Sequence, residues 1–440
     1  MATRVAAAIG VALTLLAIGA ATAVPRAPDE VPSGVRGRDG RTAPPLLLAG
    51  DPQRAIEQLQ ARLRAFPEDE RAEAALGLAY VQQARVTSDP TLYPLAERAL
   101  RRALASGGDR DADALVGMGT LALARHDFRI ALAWGTRARA IAPFDADVYG
   151  VIGDAQMELG RYPAAFRTFQ AMVDTRPDLA SYARVSYARE LQGDVPGAVA
   201  AMRAALRAAG TPTDAAWASF QLGELAFGHG HVHRAGVWYR RAAELVPTYV
   251  PARAGLAKLA WARGHLETAI ARYREVVSRY PAPEHVIALA DLYRTVGRPH
   301  LAERTRDLVR AEERLFRSNG VDTDLELALF EADHRRTDRA LRTARAEWRR
   351  RRSIHVADAL AWSLSQTGHD RAAARVMRRA MVLGTPNALF LFHDAMIRLR
   401  LGHHAEAASL LRRALAINPN FSILYRDRAR SLLRRLEAGR

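Results

Sequence analysis

Three imidazoles at alternate positions, His229-Gly230-His231-Val232-His233, form the sharpest chemical cluster in the chain. Such spacing in a turn suits capture of zinc, copper or nickel. The same place carries His265, His369 and His403 elsewhere, each just past a glycine. Recurrence of that kind belongs to a polar helix start, so these three are weak metal candidates and no metal or other cofactor is expected. Gly117-Met118-Gly119 imitates a dinucleotide-binding loop, but no strand precedes it and its surroundings read as helix. Asp109, Asp111 and Asp113 alternate like a calcium loop without the glycine and distant glutamate such a loop needs, which leaves a helix-entry acidic cluster. The sequence lacks H-E-x-x-H, G-x-S-x-G and a phosphate loop ending in Lys-Ser or Lys-Thr. It also has no cysteine, which excludes disulfides, thiol catalysis and thiolate zinc sites. The expectation is a non-enzymatic protein.

The elements that hold these residues are helices. From about Leu46 onward, apolar residues recur at three- and four-residue spacing in segments closed by Gly, Asp, His or Pro, with no strand-like alternation. The closing prolines Pro143 and Pro177, and again Pro247 and Pro281, stand 34 residues apart, the length of two helices and two turns. Each unit has a turn residue in its middle: His126, Gly160, Gly193, Gly230, Gly264, Gly297, Gly368 or Gly402. Five residues later stands an alanine, from Ala131 and Ala165 through to Ala373 and Ala407. A left-handed turn residue stops the first helix, and the alanine admits the second helix close to it. Four residues beyond, a larger side chain such as Phe169, Tyr239, Tyr273 or Leu411 fills the space between units.

This pattern resembles the tetratricopeptide repeat, whose signature is W-x2-L-G-x2-Y, then A-x3-F, then P. One unit shows Tyr149-x2-Ile152-Gly153, Ala165-x3-Phe169 and Pro177; another shows Ser219-x2-Leu222-Gly223, Ala235-x3-Tyr239 and Pro247. The resemblance implies an all-α, right-handed α-α superhelix of about nine to ten helix pairs over residues 46–419, with a capping helix in 420–440. Units are expected to begin near Glu70, Ala112, Ala146, Leu179, Ala216, Val250, Pro283, Val321, Ile354 and Ala388. The stretch TSDPTLYP in the first unit is extra and is expected to form a protruding turn. The unit at 321–352 is the weakest, with Arg335 at the turn position and Ala344 at the bulky one.

In the resembled family the first helices line an inner face that usually holds a peptide. Here that projection gives Asp154, Glu158, Tyr187, Glu190, Trp217, Phe220, Glu224, Phe227, Trp261, Asp291 and Trp362 as a partner-binding groove, acidic and aromatic. It favours basic, partly apolar protein segments through charge pairing and cation–π contact. The paired Lys, Asn and Arg with which the family's best-known subgroup grips a terminal carboxylate are missing.

The net charge is +17, and Lys258 is the only lysine. Arg203, Arg240, Arg274, Arg345, Arg378 and Arg412 recur at one place in the second helices, and Arg349–Arg352 form a run. They read as a stripe on the convex face, either solvated or attached to an anionic membrane or wall surface; nucleic acid is not the expected partner. Residues 5–24 are uncharged and long enough to cross a bilayer, after Arg4. Residues 1–24 are therefore expected to be a signal peptide, cut after Ala23, or an N-terminal anchor, and 25–45 a flexible Pro/Gly tether. The expectation is an exported scaffold of the cell envelope, with a histidine-rich metal-handling or sensor protein and an arginine-stripe surface module as alternatives.

Overall fold

The computed structural model describes residues 52–438 other than 88, 108–110, 322, 323, 335 and 336. The expected export segment and the tether fall outside the described residues. Among those residues no helix is long and apolar enough to cross a membrane.

A lone helix, α1 (Pro52–Ala65), precedes ten antiparallel pairs. The first five are α2 (Glu70–Thr87) with α3 (Leu92–Gly107), α4 (Ala112–Ala124) with α5 (Phe128–Ile141), α6 (Ala146–Glu158) with α7 (Tyr162–Thr175), α8 (Leu179–Leu191) with α9 (Val195–Arg207), and α10 (Pro212–Gly228) with α11 (Val232–Leu245). The next five are α12 (Val250–Ala262) with α13 (Leu266–Arg279), α14 (Pro283–Thr295) with α15 (Pro299–Ser318), α16 (Asp324–Asp333) with α17 (Thr337–Arg350), α18 (Ile354–Gln366) with α19 (Asp370–Ala380), and α20 (Ala388–Arg400) with α21 (His404–Ile417). A final helix, α22 (Arg426–Ala438), follows. Within the described residues the chain is an all-α superhelix, as the repeat spacing implies.

Local chemistry sets the ends of these helices. Asp111 accepts a hydrogen bond from the Ala114 amide at 3.0 Å and so caps α4, with Asp113 in its first turn. Asp178 and Ser181 form a reciprocal capping box at the start of α8. All eight expected turn residues have positive φ, His126 at 64° among the glycines. The eight alanines that follow them are at most 1% exposed, which lets the paired helices close together. Between units, Tyr239 fits a slot made by glycines: a Cβ at Gly223 would lie 2.5 Å from its ring and one at Gly255 2.7 Å. Gly119 likewise faces Val151 from inside α4, so it is a helix-contact residue.

Much of the extra length of the first unit goes into helix: α2 runs for 18 residues to Thr87, and α3 opens at Leu92. The anchor is Tyr93, 6% exposed, which buries the end of TSDPTLYP in the core. The weak unit also keeps its place: Ala344 is 1% exposed, although α16 has only 10 residues.

The tertiary feature that local pattern does not announce is the way the superhelix winds onto itself. The Glu158 carboxylate meets the Arg351 guanidinium at 2.9 Å, across 193 residues. Tyr162 accepts from the Ile354 amide at 2.6 Å, across 192. Thr385 donates to the Leu191 carbonyl at 2.5 Å, across 194, and Asn418 donates to that of Phe227 at 2.9 Å, across 191. Tyr280 reaches the Arg85 carbonyl at 3.3 Å, across 195. Each contact joins a turn inside one pair to the turn between pairs that lies eleven helices further on. Successive superhelical turns are therefore stacked edge to edge with a constant offset. Glycine is needed here for closeness as well as for φ, because a Cβ at Gly160 would sit 2.5 Å from the Arg352 carbonyl oxygen and one at Gly230 2.7 Å from that of Ile417.

Candidate protein-binding face

The stacking decides which of the expected groove residues remain accessible. Asp154 on α6 is 5% exposed and takes a bidentate contact from Arg184 at 2.6 and 2.9 Å. Burial pushes its carboxyl upward, opposed by that guanidinium. Glu158, four residues on, is 4% exposed under Arg351. Tyr187 on α8 lies with its hydroxyl 3.4 Å from His355. Trp261 on α12 is 2% exposed; Phe227 is 6.5 Å from it between ring centres, and the Arg426 guanidinium covers it at 4.6 Å. Asp291 pairs with His334 at 3.1 Å. Trp362 is 1% exposed, donates to Asp333 at 2.7 Å and stacks on His393 at 4.3 Å. These seven, with Phe227 among them, are buried against their own chain.

The other four, Glu190, Trp217, Phe220 and Glu224, are half-buried and lie together on α8 and α10. Glu224 accepts from Lys258 at 2.7 Å and from the Tyr239 hydroxyl at 2.5 Å. Phe220 packs its ring 5.8 Å from Tyr239 and 6.2 Å from Tyr249. The Trp217 indole N–H is buried without a hydrogen-bond partner. Glu190 has His229 as its ion-pair neighbour at 3.9 Å, too long for a hydrogen bond. Burial, and then repulsion from Glu224, raise the Glu190 carboxyl to about 7. Burial lowers His229 below its ordinary value, so this neighbour tends to neutrality. The patch thus holds a carboxyl balanced between its two states and an aromatic wall.

The histidine trio is divided between two helices: His229 ends α10, His231 precedes α11 without a capping bond, and His233 is exposed within α11. Among the described residues no group of three or more His, Asp or Glu is placed to hold a metal ion.

All six arginines of the stripe are exposed on second helices, and Arg412 pairs with Glu437 at 2.7 Å. The Arg349–Arg352 run, however, does not continue them. Arg351 is 1% exposed, held by Glu158 and by Glu347, and forms part of the contact between superhelical turns. An arginine run on an amphipathic helix end reads as solvated until a carboxylate from a distant unit is brought to it, and nothing near residue 351 in sequence announces Glu158. An open depression of about 530 Å³ lies between α13 and α14 with Arg274 on its rim.

Sequence reading missed a second group as well. Glu312 on α15 is 3% exposed, and neither carboxylate oxygen has a hydrogen-bond partner. Burial, with Glu284 adding repulsion, raises it to about 9. Its helical neighbours Glu313 and Arg314 made it one more charge on a polar helix; only the approach of other helices shows it to be enclosed.

A family model described as tetratricopeptide repeat matches residues 112–180, 255–306 and 359–421. Comparison with curated proteins found no match. Among solved structures, the anaphase-promoting-complex hetero-tetramer Cut9–Hcn1 is 14% identical over 88% of this chain and 95% of that one, with a TM-score of 0.38. A tetratricopeptide repeat protein from Parabacteroides merdae is 18% identical over 59% and 98%, with a TM-score of 0.36. A thermophilic one from Thermus thermophilus is 22% identical over 44% and 99%, with a TM-score of 0.39. The three matched segments carry tetratricopeptide repeats, and the helix pairs between them keep the same spacing.

Proposed function

We propose that the protein is a non-enzymatic scaffold of the cell envelope that binds basic, partly apolar polypeptide segments at the patch formed by Glu190, Trp217, Phe220 and Glu224. Repeats of this family suggest protein–protein interaction, which supports the general role. The observation that carries the finer reading is Glu190, raised to about 7 beside a second carboxylate and lacking a full cationic partner. A bound arginine or lysine supplies that missing charge, while the half-buried Trp217 and Phe220 offer ring faces. Exported placement rests on the apolar run of residues 5–24.

The test measures capture of Arg/Phe-containing peptides and of acidic peptides of equal length by the full chain. Basic peptides are expected to bind preferentially, with affinity rising as pH is raised through about 7, because ionised Glu190 attracts the cation. Glu190→Gln should flatten that pH response, and Trp217→Ala should weaken capture about tenfold. Equal capture of both peptide classes counts against the patch.

A second reading is favoured by the exposure of Arg203, Arg240, Arg274, Arg345 and Arg378, none of which makes an ion pair among the described residues. Attachment to an anionic surface would use that stripe. Flotation with acidic vesicles, lost on changing three or more of these to Gln, is its measure.

A further inference from the structure

The edge-to-edge stacking of superhelical turns also gathers charge. Arg129, in the first turn of α5, donates to the Arg349 carbonyl at 2.9 Å across 220 residues. Arg352, three residues further on, lays its guanidinium 4.6 Å from the ring centre of Trp348 on α17. Gly160 faces the same segment so closely that an added Cβ would lie 3.3 Å from the Arg352 side chain, which brings Arg161 beside it. Arg161, Arg352, Arg349 and Arg129 therefore form a connected row along the seam, on the outer layer of second helices. All four are exposed, and none makes an ion pair among the described residues.

The acidic groups around this row are engaged elsewhere. α5 contains no acidic residue. α17 has Asp338 in its first turn, at the far end from Arg349, and Glu347, which is buried and held by Arg350 and Arg351. Glu158 is buried under Arg351 as well. Asp127, exposed just before α5, caps that helix by accepting from the Ile130 amide at 3.4 Å. Asp127, Glu158 and Glu347 thus face Arg350, Arg351 and the four exposed arginines, and a positive surplus remains.

Local structure does not account for that surplus. The carbonyl end of α17 adds the equivalent of about half a negative charge, enough to favour one guanidinium there and too little for a row of them. Burial, and then the neighbouring Arg351 and Arg317, push the Arg350 guanidinium below its ordinary value, so the cations of the seam oppose one another. Like charges brought together across the fold are relieved by an anion. Ile130, 47% exposed beside Arg129, adds an apolar surface to the same place.

We propose that the row Arg129, Arg161, Arg349 and Arg352 is a docking site for an acidic polypeptide segment, separate from the patch at Glu190. Guanidinium forks take carboxylates through pairs of parallel hydrogen bonds, so the row can engage several Asp or Glu side chains of one segment. Ile130 offers an apolar residue of that segment a place to pack, which a bare inorganic anion would not use. The site exists only while the superhelical turns stay stacked, since Arg129 and Arg161 come from one turn and Arg349 and Arg352 from the next. It therefore lies on the outer seam and not on the inner face lined by first helices.

The test is fluorescence anisotropy of a labelled Glu/Leu peptide, and of its Gln/Leu counterpart, titrated with the full chain in mild non-ionic detergent. Three variants, each losing two positive charges, are compared. Two are at the seam, Arg161→Gln with Arg349→Gln and Arg129→Gln with Arg352→Gln; the third, Arg371→Gln with Arg375→Gln, lies past the Gly368 turn, at the other end of α18. All six positions are exposed, and unchanged circular dichroism checks that the variants fold. The Glu peptide is expected to bind at least about tenfold more tightly than the Gln peptide. Each seam variant should weaken it at least about tenfold, and the Arg371/Arg375 variant less than about twofold. Equal losses in all three variants would show attraction by net charge alone, and equal binding of the two peptides would leave carboxylates no role; either overturns the proposal. So does seam-dependent binding of inorganic polyphosphate or acidic vesicles by a chain that leaves the Glu peptide free, which would assign the row to phosphate. Capture of basic peptides at Glu190 is a separate measurement and decides none of these outcomes.

Discussion

Glu312 and Arg351 show how differently burial treats single charges. Glu312 is enclosed without a partner, so the folded state binds a proton that the unfolded chain releases near its ordinary carboxylate value. Because the folded value is the higher one, stability falls as pH rises from about 4.5 to about 9. Glu312→Gln is expected to remove that slope and to raise stability at neutral pH by about 1–3 kcal/mol in urea titrations. A variant as pH-sensitive as the native chain would show the carboxyl to be solvated. Arg351 is enclosed with two carboxylates. Arg351→Ala leaves Glu158 buried and unpaired and should cost about 3–5 kcal/mol, whereas Glu158→Leu with Arg351→Met should recover most of it, as a buried pair is replaceable by apolar groups of similar volume. Equal losses in single and double variants would mean that the pair contributes net stability.

At the scale of helices, the dominant device is a small residue opposite a large one. Tyr239 is 0% exposed because Gly223 on α10 and Gly255 on α12 leave room for its ring. In an isolated helix, Gly→Ala gains up to about 1 kcal/mol. Here the added methyl meets the ring of a residue that is also tethered through its hydroxyl to Glu224 at 2.5 Å. Gly223→Ala is therefore expected to destabilise by about 1–3 kcal/mol, with the sign of packing overriding that of propensity, as measured by urea unfolding. A gain in stability would show that the units have slack between them. The same logic explains the first unit: TSDPTLYP looks like a loop by its Pro, Asp and Ser, and Pro90 and Thr91 do form a turn, but Thr87 still belongs to α2 and Tyr93 finds a buried site in the first turn of α3.

Across the whole molecule, contacts at an offset of 191 to 195 residues tie distant pairs together. A solenoid in which each unit touches only its neighbours opens progressively from its ends. This chain should behave otherwise: native-state hydrogen exchange is expected to show α18–α21 protected to the same degree as α6–α10. In Arg351→Ala, Thr385→Ala, Asn418→Ala, protection of α18–α21 should fall first. Independent opening of the C-terminal units in the native chain would mean that the stacked edges contribute little.

Helix type, the ten pairs, the left-handed turn residues and the close-packed alanines were determined by sequence alone, because each depends on neighbours within one unit or the next. The acidic and aromatic character of first helices was legible for the same reason. Which of those residues a partner can reach was decided by tertiary structure. Glu158, Trp261 and Trp362 have the composition of a groove, yet each is covered by its own chain, Glu158 by Arg351 and Trp261 by Arg426. The small rotation added at every helix pair accumulates until edges eleven helices apart coincide, and that sum has no counterpart in the 34-residue period from which it arises.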